Sequence, residues 1–142
     1  MTYDLICERK GTPIRLSNPR DAYAAFGRYA RARTERFVTA SLNGAHDIIK
    51  VRIITIGLIN RTIVHPREIF RPAILDGAVA LVIGHNHPSN RLDPSPEDLA
   101  ITRRLREAGE LIGIPVLDHI IFGRDGFLSF VERGLIPPAT ID

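Results

Sequence analysis

The segment from residue 85 to residue 98 holds the side chains best suited to chemistry in this chain. Two histidines one residue apart, His85 and His87, are followed by Ser95 and then by Asp98. Imidazole nitrogens and carboxylate oxygens are zinc ligands, and two histidines with one carboxylate leave the fourth tetrahedral position open, as in catalytic zinc sites. The spacing therefore predicts a metal site with one coordination position available for water.

The elements around this segment are expected to bring the three ligands together. Residues 78–84 form an apolar run that predicts a buried strand, and side chains two apart on an extended backbone point to the same side. Ser95 followed by Pro96 is typical of a helix start, with serine as the N-cap. Asp98 then lies in the first turn, where it could turn back as the third ligand. Taken singly, the same residues are also compatible with a polar turn, a helix cap and a carboxylate that favours the helix dipole.

Hydrophobic patterns and turn residues predict alternating helices and strands along the whole chain. We predict helices from Asn18 to about Arg33, from Pro66 to Asp76 and from Pro96 to Ile112, and strands at 36–42, 47–56, 78–84, 116–122 and 126–130. Asn43-Gly44 predicts a hairpin turn, residues 1–17 an irregular or extended lead-in, and residues 62–64 an extension of the sheet. Helices between strands predict an α/β sandwich with a mixed sheet.

Size and composition place the chain in a broad class. A length of 142 residues fits one domain, with 44% apolar and 25% charged residues as in soluble globular proteins. No apolar run approaches the roughly 20 residues that cross a bilayer, and the N-terminus lacks a signal-peptide pattern. Cys7 is the only cysteine, which excludes an internal disulfide and zinc sites with two or more cysteines. We therefore expect a cytoplasmic protein with no membrane association.

A hydrolytic zinc site also needs a carboxylate that takes a proton from water and passes it to the leaving group. Spacing alone does not identify this group. The candidates are Glu35, Asp47, Glu68, Asp76 and Glu97. His119 lies in an apolar strand, and we interpret it as a hydrogen-bonded core residue, with a supporting role beside the metal ligands as the alternative.

The pattern His85-x-His87-Pro88, with the later Ser95-x-x-Asp98, resembles the JAMM (JAB1/MPN-plus) metalloprotease motif. More narrowly, residues 85–89 with Thr102 and residues 117–121 are similar to bacterial RadC-type proteins. Residues 66–70, Ser129 and residues 132–134 fit the same pattern. The resemblance extends from about Glu35 to the C-terminus, and we divide the chain into a lead-in with one helix, residues 1–34, and a RadC-like JAB/MPN unit, residues 35–142.

The resemblance implies a cytidine-deaminase-like, three-layer α/β/α sandwich that holds one Zn²⁺ ion through His85, His87 and Asp98. In such a protein Glu35 would act as general base and then general acid, and Ser95 would polarise the scissile carbonyl or stabilise the oxyanion. Asp118, with His119, is the candidate for the supporting role. The implied activity is that of a JAMM-type metallopeptidase or isopeptidase with a protein or peptide substrate, in a chain that could form a homodimer.

Two features depart from the family pattern. Asn90 stands where the family usually has glycine, and asparagine tolerates positive φ better than most residues. RadC-type chains commonly carry an N-terminal helix-hairpin-helix region, whereas the 34 residues before Glu35 contain a single predicted helix. The first departure predicts an unchanged loop, and the second puts a DNA role of this chain in question.

Two other functions remain open. A DNA-associated accessory protein in repair, recombination or mobile-element biology, with DNA or DNA-repair proteins as partners, is favoured by the arginine-rich first 36 residues. A metal phosphoesterase also uses His-x-His, although the further ligand clusters of such sites are missing from this sequence. A zinc deaminase is disfavoured because the chain has neither His-x-Glu nor a cysteine pair.

Overall fold

A computed structural model describes residues 14–57 and 64–139 and the backbone pairing of residues 3–5. The elements in chain order are β1 (Tyr3–Leu5), α1 (Pro19–Phe26) with a 3₁₀ turn (Gly27–Tyr29), β2 (Arg36–Leu42), β3 (Ile48–Ile56), α2 (Pro66–Leu75), β4 (Ala80–Asn86), α3 (Pro96–Ile112), β5 (Val116–Phe122) and β6 (Phe127–Ser129). The strands form one sheet in the order β1-β3-β2-β4-β5-β6. Strands β4 and β5 are parallel, and the other neighbours are antiparallel.

Helices cover both faces of this mixed sheet. The core beneath α1 includes Phe26, Val38, Ala40, Val82 and Phe122. The core beneath α2 and α3 includes Phe37, Phe70, Leu81, Ile83 and Leu105. The predicted fold class, an α/β sandwich of three layers with a mixed sheet, is confirmed. No helix within the described residues is both long and apolar enough to cross a membrane.

Strand β4 is buried along its entire length, so each of its side chains must fit one of the two cores. Leu81 and Ile83 lie in the core of α2 and α3, and Val82 lies in the core of α1. The alternation continues to the end of the strand, because the side-chain period of a strand is two residues. It directs His85 to the side of α2 and α3 and Asn86 to the side of α1.

Gly84 is the point on β4 where α1 approaches the strand most closely. A Cβ atom at this position would lie 2.8 Å from the ring of Phe26 and 3.0 Å from the carbonyl oxygen of Ile120. Real Cβ contacts are longer, so a side chain here would push Phe26 away from the sheet. Glycine is therefore required directly before the two histidines.

The observed bounds of β2, α3 and β5 are those predicted from the sequence, and the bounds of the other elements differ from the prediction. α1 ends at Phe26 and continues only as a 3₁₀ turn, so the prediction of helix to Arg33 was wrong. Gly27, a weak helix former, follows the last helical residue. β4 begins and ends two residues later than predicted, because its pairing with β2 extends to His85 and its pairing with β5 extends to Asn86. Ile112, the last residue of α3, is exposed.

The N-terminal part of the chain packs on the same sheet as the rest. Strand β1 pairs with β3 at one edge, and Leu16, Ala22 and Phe26 lie in the core beneath α1. The Asn43-Gly44 hairpin between β2 and β3 is confirmed. Residues 62 and 63, expected to extend the sheet, lie outside the described residues, and Val64 is buried just before α2.

A buried ion pair joins α2 to the sheet. The Arg52 guanidinium on β3 donates to both carboxylate oxygens of Asp76, with 2.6 Å from Nη2 to Oδ1. The Ser41 hydroxyl on β2 donates to the same carboxylate at 2.8 Å. Burial alone would raise the pKa of Asp76, but the hydrogen bonds from Arg52 and Ser41 hold it below its usual value. Asp76 therefore stays ionised at neutral pH and ties the C-terminus of α2 to two strands.

We expect Asp76→Ala to lower the free energy of unfolding by about 3–5 kcal/mol, because it leaves the buried Arg52 charge unpaired. The control Glu68→Ala removes the exposed pair with Arg67 on the same helix and should cost no more than about 1 kcal/mol. Because the folded-state pKa of Asp76 is lowered, its contribution should be lost as the pH falls below the normal aspartate value. Urea unfolding at several pH values measures both effects, and equal losses in the two variants would contradict the prediction.

Candidate metal centre

Three side chains converge at the C-terminal end of β4 and the start of α3. The Nε2 atoms of His85 and His87 are 2.9 Å apart, and they lie 3.3 and 3.4 Å from the Asp98 oxygens Oδ1 and Oδ2. Zinc bonds of about 2.1 Å at tetrahedral angles separate neighbouring ligand atoms by about 3.4 Å. His85 and Asp98 are buried and His87 is partly exposed. The group could therefore hold a metal ion that is reached from the side of His87.

A capping box orients Asp98 toward the histidines. The Asp98 amide donates to Ser95 Oγ at 3.0 Å, and the Ser95 amide donates to Asp98 Oδ2 at 2.9 Å. Burial alone would raise the pKa of Asp98, but its close contacts with the imidazoles of His85 and His87 hold it far below its usual value. The capping interpretation and the ligand interpretation of these residues are thus compatible, since one carboxylate satisfies both.

The loop after β4 fixes the orientation of His87. His87 Nδ1 lies 2.6 Å from the carbonyl oxygen of Arg91 and must donate to it, which leaves Nε2 for a ligand. Asn90 adopts the predicted left-handed conformation, with φ of 65°, and its amide donates to Asp125 in the β5–β6 turn at 2.7 Å. The asparagine thus adopts a positive φ, which glycine accepts most readily.

Glu35 is the candidate carboxylate that acts on this group electrostatically. Burial would lower the pKa of His87, but hydrogen bonds to Asp98 and to the Arg91 carbonyl, with the charges of Asp98 and Glu35, raise it. The carboxylates of Asp47, Glu68 and Asp76 each pair with an arginine elsewhere. Glu35 precedes β2, the antiparallel neighbour of β4, which explains how a residue 50 positions upstream of His85 comes within electrostatic range of His87.

His119 contacts a candidate ligand directly and is also a core residue. Its Nε2 lies 2.7 Å from His85 Nδ1, and its Nδ1 lies 2.5 Å from the hydroxyl of Thr102 on α3. The ring is fully buried and stacks on Phe130 with centroids 4.5 Å apart. Burial, reinforced by the nearby imidazole of His85, lowers the pKa of His119 well below its usual value. His119 is thus a buried, hydrogen-bonded core residue, and its supporting role beside a metal stays a prediction.

Asp118 is directed to the other face of β5. Its carboxylate accepts the Ser129 hydroxyl at 2.5 Å and the backbone amides of His119 and Val131 at 2.8 and 3.1 Å. Burial raises the pKa of Asp118, although these bonds oppose the shift. The structure therefore places Asp118 where it holds the segment after β6, whereas its neighbour His119 reaches the ligands.

Comparison with known proteins gives the family. A family model described as RadC-like JAB domain matches residues 16–135. The chain belongs to this family. UPF0758 proteins of Geotalea uraniireducens (strain Rf4), Rubrobacter xylanophilus and Methanosarcina acetivorans are 48%, 42% and 38% identical over 123, 132 and 123 residues. These alignments cover 86%, 92% and 86% of this chain and 54%, 57% and 54% of the relatives.

The chain thus spans about half the length of the curated relatives it matches. The family match confirms the resemblance inferred from the histidine motif, and it begins before α1. The ligand group, the capping box and the loop of Asn90 all lie within the matched part of this RadC-like JAB domain.

Asn86, between the two histidines, was missed by the sequence reasoning. Its buried side chain accepts a hydrogen bond from the Arg36 amide at 2.6 Å and donates to the carbonyl oxygens of Thr34 and Ala32 at 3.1 and 3.4 Å. These bonds anchor the backbone on both sides of Glu35. The sequence contained a signal for this role, because Asn86 is a polar residue at the end of a buried strand. Its side chain points to the face opposite to that of His85, and a buried amide needs hydrogen-bond partners there.

We expect Asn86→Ala in this RadC-like JAB domain to lower the free energy of unfolding by about 3 kcal/mol, at about 1 kcal/mol for each lost hydrogen bond. Amide exchange at Arg36 should accelerate, because its backbone N–H loses its acceptor. The Ala40 amide, in the middle of β2, serves as the internal control. Unchanged protection of Arg36 in the variant would contradict the anchoring role.

Proposed function

We propose that this chain is a zinc-dependent metallopeptidase or isopeptidase-like hydrolase of the JAMM type. The observation that carries the proposal is the convergence of two imidazole nitrogens and one carboxylate at separations that suit a tetrahedral ion. This donor set favours zinc over Ca²⁺ and Mg²⁺, which prefer oxygen ligands alone. The ionised Asp98 and the unprotonated Nε2 of His87 are the forms that bind metal.

The residues around the ligands supply the remaining parts of an amide hydrolysis. When bound, zinc supplies Lewis acidity and lowers the pKa of water in its open position to about 7. The Glu35 carboxylate takes a proton from the attacking water and delivers it to the leaving amine. Ser95 Oγ accepts the Asp98 amide hydrogen, so its own proton can be donated to the oxyanion of the substrate.

The substrate class that fits these groups is an amide or isopeptide bond in a protein or peptide. A nucleophilic water, a proton carrier and an oxyanion donor act together on a carbonyl carbon whose leaving group is an amine. The candidate centre opens beside the partly exposed His87, at the end of the sheet where β4 enters its loop. A peptide segment in an extended conformation suits such a position better than a folded surface.

A DNA-associated accessory role is the second candidate. It is favoured by the exposure of Arg28, Arg31 and Arg33, which follow α1 in the chain. DNA binding through these arginines needs neither the histidine pair nor Glu35. The effect of Glu35 and of zinc on the protein therefore separates the two candidates.

We expect Glu35→Gln to retain zinc and stability but to reduce turnover of internally quenched peptides by at least about 100-fold, because it removes the proton carrier. The substitution preserves shape and changes only the charge. Zinc content is measured by mass spectrometry of the metal, and turnover by fluorescence.

Glu97→Gln is the matched control for Glu35→Gln, because it neutralises a carboxylate next to the ligand Asp98. It should retain turnover. Full turnover in Glu35→Gln would remove Glu35 from its role, and the absence of zinc from wild-type protein would contradict the metallopeptidase as a whole.

Zinc affinity should increase as the pH rises through and above the ordinary pKa of histidine. The raised pKa of His87 means that the metal-free protein holds this proton to a higher pH than an ordinary histidine, and zinc must displace it. Isothermal titration in buffers of different ionisation enthalpy counts the protons released, and this number should fall with increasing pH. A pH-independent affinity with no proton release would contradict the assignment of His87 as a ligand.

A further inference from the structure

We infer that Thr102 and His119 form a directed chain of hydrogen bonds that holds His85 with its proton on Nδ1 and leaves Nε2 bare for the metal. The inference rests on the proposed zinc site. Three bonds make up the chain. Thr102 Oγ1 lies 2.7 Å from the carbonyl oxygen of Asp98, His119 Nδ1 lies 2.5 Å from Thr102 Oγ1, and His85 Nδ1 lies 2.7 Å from His119 Nε2.

The direction of the chain is set at Thr102. A backbone carbonyl oxygen can only accept, so the single hydroxyl proton of Thr102 is donated to Asp98. If this proton pointed to His119 instead, the hydroxyl and carbonyl oxygens would face each other at 2.7 Å with no hydrogen between them. Thr102 Oγ1 is therefore an acceptor toward His119, and the proton of that contact resides on His119 Nδ1.

The direction passes through His119 to His85. A neutral imidazole that donates from Nδ1 has an acceptor at Nε2. His119 Nε2 can then accept only from His85 Nδ1, which must carry a hydrogen. With its proton on Nδ1, His85 presents an unprotonated Nε2 toward His87 and Asp98, which is the form that coordinates a metal ion.

Packing prevents the rings from turning out of this arrangement. Thr102, His119 and His85 have at most 1% of their surface exposed. Phe37 packs parallel to the ring of His85, with an interplanar angle of 9°, and meets His119 edge-on. A neighbouring ring on each imidazole disfavours the rotation that would exchange the two nitrogens.

The hydrogen-bond chain begins at Asp98, which is also a candidate metal ligand. Asp98 gives its carbonyl oxygen to Thr102, one helical turn further along α3, and gives its carboxylate to the metal group. A shift of α3 would therefore move the Asp98 carboxylate and the Asp98 carbonyl, where the hydrogen-bond chain begins, together. Thr102 and His119 are positioning residues, since they act on the metal through His85.

The protonation of His85 can be measured in the metal-free protein. Long-range ¹H–¹⁵N correlation spectra distinguish a protonated ring nitrogen from a bare one. We expect wild-type His85 and His119 each to carry the proton on Nδ1. A spectrum in which His85 carries it on Nε2 would overturn the inference, whatever the fate of any variant.

Thr102→Val tests the effect on the metal. Valine has the same branched shape but offers no acceptor to His119 Nδ1, so the opposite proton arrangement of both histidines becomes accessible. We expect zinc affinity, measured by competition with a chromophoric chelator, to fall by roughly 10- to 100-fold. The His85 spectrum should show a bare Nδ1 in part of the molecules.

Two control variants separate the chain from general destabilisation. Thr102→Ser restores the hydroxyl and should return both zinc affinity and the His85 spectrum close to wild type. Ser41→Ala removes an equally buried hydroxyl at the other end of β2 and should change neither. Wild-type zinc affinity in Thr102→Val would overturn the inference. Failure of the wild-type protein to bind zinc would contradict the proposed function instead. The His85 spectrum of that sample would still show whether the hydrogen-bond chain has the inferred direction.

Discussion

The burial of β4 on both faces governs the arrangement of the candidate centre. A strand covered on both sides sends every side chain into one of two interiors, and each interior accepts only what it can pack or hydrogen-bond. Apolar residues meet this condition until Gly84. The next three residues point to opposite faces of the strand. The imidazoles of His85 and His87 lie on the side of α3, and the amide of Asn86 lies on the side of the segment before β2. The geometry of the three candidate ligands and the placement of Glu35 thus both depend on a single strand.

Local signals in the sequence were sufficient for much of the fold. Arg36–Leu42, Pro96–Ile112 and Val116–Phe122 have the predicted bounds, because their hydrophobic periods agree with the turn and capping residues that flank them. The end of α1 was predicted wrongly, because Gly27 is only a weak local signal and the burial of Tyr29 and Ala30 beyond it depends on contacts within the core beneath α1. Such contacts have no local signature.

The same distinction applies to the candidate centre. The grouping of His85, His87 and Asp98 follows from strand alternation and a helix cap, both of which are local patterns. The partners of Asn86 and His119 depend on which strands become neighbours, and here β2 pairs with β4 while β5 runs parallel to it. A polar residue in an apolar strand shows from sequence that a partner is needed, but only the topology identifies that partner.

The bond between Asn90 and Asp125 has a consequence for a part of the chain far from the ligands. It fastens the histidine loop to the β5–β6 turn, where Gly123 passes directly beneath the Asn90 amide. A side chain at position 123 would collide with that amide. Insertions or larger residues in this short turn would therefore be transmitted to the carbonyl that orients His87, so the permitted length and composition of a surface turn are set by a neighbouring loop.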